Sequence, residues 1–82
     1  MRLDKYLKVS RLIKRRTVAD EACGGGRVSV NGKAAKSAYD VKPGDIIEIS
    51  FGAKKVKVKV LEVKEHVRKD EADAMYEVLE QS

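Results

Sequence analysis

The sequence is poor in the residues that most often carry chemistry. Its 82 residues include one cysteine (Cys23), one histidine (His66) and no tryptophan. A single cysteine cannot form an internal disulfide, and this fits a reducing, cytoplasmic setting. One Cys and one His far apart in sequence do not make a metal site. Nor do they make a nucleophile with its base. Cys23 stands with Val18, Ala19 and Ala22 at helical spacing, so it reads as a small buried hydrophobe. The acids are mostly C-terminal and helically spaced, which reads as a solvated face, with Lys69 and Asp73 paired at i, i+4. No catalytic residue, cofactor or metal is expected, and the chain is not read as an enzyme.

Long apolar runs are missing as well. The N-terminus lacks the ~7–15-residue apolar stretch of a secretory signal. Nothing approaches a membrane span of about 20 residues. Aromatic residues are only 5% of the chain, with a single Phe, so an interfacial helix would lack its anchors and no membrane partner is expected. A chain this short supports one small core, burying only about 60–65% of its unfolded surface, with little room for an enclosed active site. Disorder is excluded because the 43% of hydrophobic residues fall in periodic groups.

Positive charge is abundant, and it is one-sided. Residues 1–36 hold ten Lys and Arg against three acids, a net +7, whereas residues 37–82 hold eight against ten, a net −2. Such separation points to a polyanion on one face. Arg2, Lys5, Lys8 and Arg11 recur every three residues, and Lys14, Arg15 and Arg16 extend them, opposed only by Asp4. Arg supplies bidentate phosphate geometry that Lys does not, and neutralising phosphates releases counterions.

Leu3, Tyr6 and Leu7 give residues 3–9 one helical stripe, with Ser10 as a break and Leu12 and Ile13 returning to the core. Were residues 2–16 one continuous helix, they would span about 20 Å, with charge at both ends. Thr17 begins a second helix, Thr17 to Asp20 being an imperfect capping box. Val18, Ala19, Ala22 and Cys23 form its buried stripe, and Gly24-Gly25-Gly26 ends it. Those glycines follow a helix and lack the Lys-Ser/Thr of a phosphate loop. Arg16 lies outside both stripes, so its loss is expected to leave stability unchanged. A helix-turn-helix reading for duplex DNA fails because the second helix exposes Asp20 and Glu21 to the phosphates.

The remainder reads as strands. Val28 and Val30 alternate with polar neighbours before Asn31-Gly32, a two-residue hairpin signal. Lys42-Pro43-Gly44-Asp45 is a type II turn. Ile46, Ile47, Ile49 and Phe51 form a strand, and Val56 to Val60 form another with a basic face, ending or bulging near residue 60. Val67, Ala74, Met75, Val78 and Leu79 suggest a further helix over residues 67–79. The fold class is α+β: two N-terminal helices, then strands joined by tight turns, then a short C-terminal helix. Residues 1–64 form the domain and 65–82 its helical tail.

Three runs together resemble a known module. They are Arg2-Leu3-Asp4-Lys5-Tyr6-Leu7, then Ser10-Arg11 with Lys14-Arg15-Arg16-Thr17, then Gly26-Arg27-Val28-Ser29-Val30-Asn31-Gly32-Lys33. The module is the S-four RNA-binding domain of small-subunit ribosomal protein four, and the match runs to about residue 50. Leu3 to Thr17 and Ala72-Asp73-Ala74-Met75-Tyr76 most resemble the RqcP type of ribosome quality control factor, with the heat-shock protein fifteen type as the sister branch. Gly24-Gly25 departs from the quality-control pattern and would shorten the second helix.

The resemblance implies two packed N-terminal helices followed by a small bent antiparallel sheet, with RNA contacts from Arg2, Arg11, Lys14, Arg15, Arg16, Asn31 and Lys33. To these the charge pattern adds Lys5 and Lys8. It also implies a cytoplasmic, non-catalytic factor, a monomer when free. Its partners would be large-subunit rRNA, peptidyl-tRNA and an RqcH-type tailing factor that adds C-terminal alanines to stalled chains. The alternatives are a heat-shock-type rescue factor, or a detached module of an RNA-modifying enzyme such as a pseudouridine synthase.

Overall fold

Leu3, Tyr6 and Leu7 bring one face of α1 (Leu3–Val9) into the core, where all three are fully buried. The helix stops at Ser10, also fully buried, whose hydroxyl donates to the Leu7 carbonyl at 3.3 Å. Arg11 then takes a left-handed conformation with φ 65°. A non-glycine residue there costs about 1–2 kcal/mol. The Ile13 N–H donates to the same Leu7 carbonyl at 3.0 Å, so the chain doubles back. Residues 2–16 are therefore a helix over Leu3–Val9 that breaks at Ser10 as expected, then a tight turn and the start of a second helix, in the computed structural model that describes residues 1–82.

α2 (Arg16–Gly24) presents buried Ala19, Ala22 and Cys23 to α1, whereas Val18 is 45% exposed and leaves the expected stripe. Its N-cap is Arg15, and no side chain caps the helix, so the Thr17 capping box does not form. The C-terminus is a Schellman motif. The Arg27 N–H reaches the Ala22 carbonyl at 2.9 Å, the Gly26 N–H reaches the Cys23 carbonyl at 3.2 Å, and Gly26 carries the positive φ of 74°. Gly24 stays helical rather than shortening α2, and a Cβ placed on it would meet nothing within 4 Å. Gly24→Ala is therefore expected to stabilise the protein by ~0.5–1 kcal/mol in urea denaturation. A loss of stability would mean that the last turn is not helical in solution.

Five antiparallel strands follow: β1 (Val28–Val30), β2 (Lys33–Ala34), β3 (Ile46–Phe51), β4 (Lys54–Val60) and β5 (Tyr76–Gln81), in the order β2-β1-β3-β4-β5. Asn31 and Gly32 both have positive φ, 53° and 85°, as the two-residue hairpin demands. Gly44, at φ 94°, and the bond from the Asp45 N–H to the Lys42 carbonyl at 3.1 Å form the expected type II turn. Val28, Val30, Ile47, Ile49, Val58 and Val60 face inward and are buried with the helices' apolar residues.

The helix expected over 67–79 is corrected. Lys69–Met75 is a 3-10 segment and Tyr76–Gln81 is β5, paired with β4. The apolar spacing misled because Ala72 and Met75, three apart, are the buried pair, while Val78 and Leu79 are half-exposed on an edge strand. With i and i+3 eclipsed, Arg68 meets Glu71 at 3.8 Å in place of the expected pair of Lys69 and Asp73. β4 ends at Val60, and the bulge lies at Lys57/Val58, opposite Leu79. The 3-10 segment closes on α1, since the buried Tyr6 hydroxyl donates to the Met75 carbonyl at 2.8 Å. Burial keeps that phenol neutral by pushing its pKa upward.

Candidate nucleic-acid interface

Asp4 organises the basic surface. Its carboxylate sits on α1 at the mouth of the core and is only 5% exposed. Oδ1 accepts from Arg2 Nε at 3.1 Å and from the Lys5 backbone N–H at 2.8 Å, and Oδ2 accepts from Arg16 Nε at 3.3 Å. Burial alone would raise the Asp4 pKa. The hydrogen bonds from Arg2, Arg16 and Lys5 outweigh it and hold the carboxyl below the usual carboxylate range. The α1–α2 turn thus brings together two arginines that a continuous helix would have separated. Both remain about half-exposed, at 53% and 50%, so each offers the rest of its donor fork to a phosphate.

The next three cations lie elsewhere. Lys8, Arg11 and Lys14 line a cleft of about 500 Å³ with Val9, Glu65, His66 and Val67. Lys5, at its side, approaches Glu65 at 3.7 Å. Arg15, Lys33, Lys8, Arg11 and Lys14 are exposed and make no ion pair. Asn31 behaves differently from the rest. Its amide donates to Asp45 Oδ1 at 3.1 Å and its oxygen accepts from the Ile46 N–H at 3.0 Å. The side chain therefore shapes the hairpin that carries Lys33. Asp45 also accepts from the Tyr39 hydroxyl at 3.0 Å and from the Lys42 N–H at 3.0 Å.

Four participants escape sequence reasoning. Lys36 lines one groove with Lys33 and a second with Arg2, and only its place in the N-terminal charge excess hinted at it. Asp4 reads as a lone counter-charge, although an acid inside a run of cations and between apolar core positions is a signal for a clamp. Glu65 and His66 reach the basic turn only through the tertiary fold, so no local pattern could find them. Cys23 is buried, and burial pushes its thiol pKa up, which suits packing.

The clamp corrects one expectation about energetics. Arg16→Ala removes a partner of a buried carboxylate, so it is expected to cost ~1–2 kcal/mol in stability as well as RNA affinity. Arg15→Ala should weaken RNA binding with the thermal midpoint unchanged. Equal midpoints for both variants in a melting experiment would show that the contact between Arg16 and Asp4 carries no stability.

The S4 domain model matches residues 1–47. An RQC P-site tRNA stabilizing factor from Halalkalibacterium halodurans is 60% identical over 78 residues, covering 95% of this chain and 89% of that protein. Another of that name, from Streptococcus pneumoniae, is 56% identical over 82 residues, covering 100% of this chain and 93% of the relative. Among solved structures, trimeric Heat Shock Protein 15 from Vibrio cholerae superposes with a TM-score of 0.89 at 30% identity, covering 95% of this chain and 80% of that one. With the clamp on α1 and α2, the Asn-Gly hairpin and this similarity along nearly the whole chain, the protein belongs to the S4 domain family, in the branch of the RQC P-site tRNA stabilizing factors.

Proposed function

We propose that this protein binds rRNA and tRNA on a large ribosomal subunit that still carries peptidyl-tRNA. There it supports C-terminal alanine tailing by an RqcH-type partner, acting as a cytoplasmic monomer and without catalysing a reaction itself. The observation that carries the reading is the pair of half-exposed guanidiniums held on buried Asp4, with further unpaired cations at the turn between α1 and α2. Such a surface holds phosphate backbones in place and contains no reactive group. The contacts are Arg2, Lys5, Lys8, Arg11, Lys14, Arg15, Arg16 and Lys33, with Asn31 fixing the hairpin. Relatives named for stabilizing P-site tRNA at 56% and 60% identity favour this role over that of Heat Shock Protein 15, at 30%.

Deletion of the gene is expected to abolish alanine tails on stalled chains, read by immunoblot, while subunit splitting proceeds. Tails of normal length in the deletion strain would replace this role with a heat-shock-type rescue of large subunits.

A further inference from the structure

The cleft at the α1–α2 turn differs in chemistry from the Asp4 clamp. One wall is cationic, formed by Lys8, Arg11 and Lys14. The other is residues 65–67, which lie beyond the residues matched by the S4 model and bring a carboxylate, an imidazole and a valine. Val9 and Val67 are partly buried and packed against the core, which anchors both sides. Lys5 lies within 3.7 Å of Glu65 Oε1 and ties the second wall to α1. Arg11 is held there in its left-handed conformation, and such strain concentrates at ligand sites.

A phosphate backbone alone would need only the cations. A ring, apolar side chains and a carboxylate beside them suit a ligand that has a flat face and N–H or O–H donors as well as a phosphate. The volume, about 500 Å³, falls in the range of small-ligand pockets, roughly 300–1,000 Å³. In RNA these features coincide in an unpaired nucleotide, because proteins read splayed-out bases by stacking them on aromatic rings, histidine included.

We propose that this cleft takes a single unpaired ribonucleotide of the bound RNA. Lys8, Arg11 and Lys14 hold its phosphate, His66 stacks on its base, and Glu65 accepts a hydrogen bond from a base N–H or the ribose 2′-hydroxyl. This rests on the RNA-binding function proposed above and adds a preference for a bulge or flipped base that the clamp cannot supply.

The test compares three probes with the full-length protein at fixed salt. They are an RNA hairpin with one bulged 2-aminopurine, the same hairpin fully paired, and a DNA copy of the bulged hairpin. The bulged RNA is expected to bind roughly tenfold more tightly than the paired RNA, with quenched 2-aminopurine fluorescence, and also more tightly than the DNA. His66→Ala should remove both the preference and the quench, while His66→Phe should restore them. Equal binding of bulged and paired RNA by the wild type, or a preference that survives His66→Ala, overturns the proposal and leaves the RNA-binding function standing. Failure to bind any RNA hairpin would overturn both.

Discussion

Raising salt from 50 to 200 mM will weaken binding to large ribosomal subunits by roughly 10²–10³-fold, read by filter binding or co-sedimentation. Lys8, Arg11, Lys14 and Arg15 make no ion pair within the protein, and Arg2 and Arg16 share one carboxylate between them. With unpaired Lys33, that leaves five free cations and two half-engaged ones, enough for about five or six phosphates. Each phosphate neutralised releases about 0.9 of a counterion from a duplex. The cations stand on two helices, the turn between them and the β1–β2 hairpin, so the backbone that carries them is already ordered before RNA binds. A flat response over this range would remove electrostatics as the basis of binding.

Leu7→Ala will cost ~2–4 kcal/mol of stability, measured as a lower urea midpoint at unchanged m-value. Leu7 is fully buried. Its carbonyl also accepts the Ile13 N–H and the Ser10 hydroxyl that fold the basic turn. Ser10 and Ile13 are held by those bonds, which limits how far they relax into the void left by the leucine. The loss is a large part of the ~5–15 kcal/mol that stabilises a typical domain, so α1 and the Asp4 clamp should loosen together. A loss below ~1 kcal/mol would show that the α1 stripe does not pack as described.

Local signals carried most of the first 60 residues. Leu3, Tyr6 and Leu7 repeat with the helix, Val56 to Val60 alternate with the strand, and Asn31-Gly32 has one favourable conformation between strands. Each is decided within a few residues. The C-terminal segment is different, because Tyr76–Gln81 becomes a strand by pairing with β4, a partner distant in sequence. Its apolar residues sit at spacings that serve a helix as well as a bulged edge strand, and the tertiary context decides between them. The site divides in the same way. The cations were visible as composition and spacing. Their grouping was not, because it depends on a left-handed Arg11 that sends Arg16 back to Asp4.

The bond from Tyr6 to the Met75 carbonyl joins residues 69 positions apart. It sets a timetable for synthesis. The first helix leaves the ribosome long before the backbone that satisfies its buried hydroxyl and the strand that completes the sheet. Until then the basic end has no finished core beneath it, and nascent chains should be recovered unfolded until Met75 and β5 have been released. Contacts this long-range also slow folding relative to a helical bundle of equal size. The newly made factor would therefore engage its target only after β5 has cleared the ribosome that produced it.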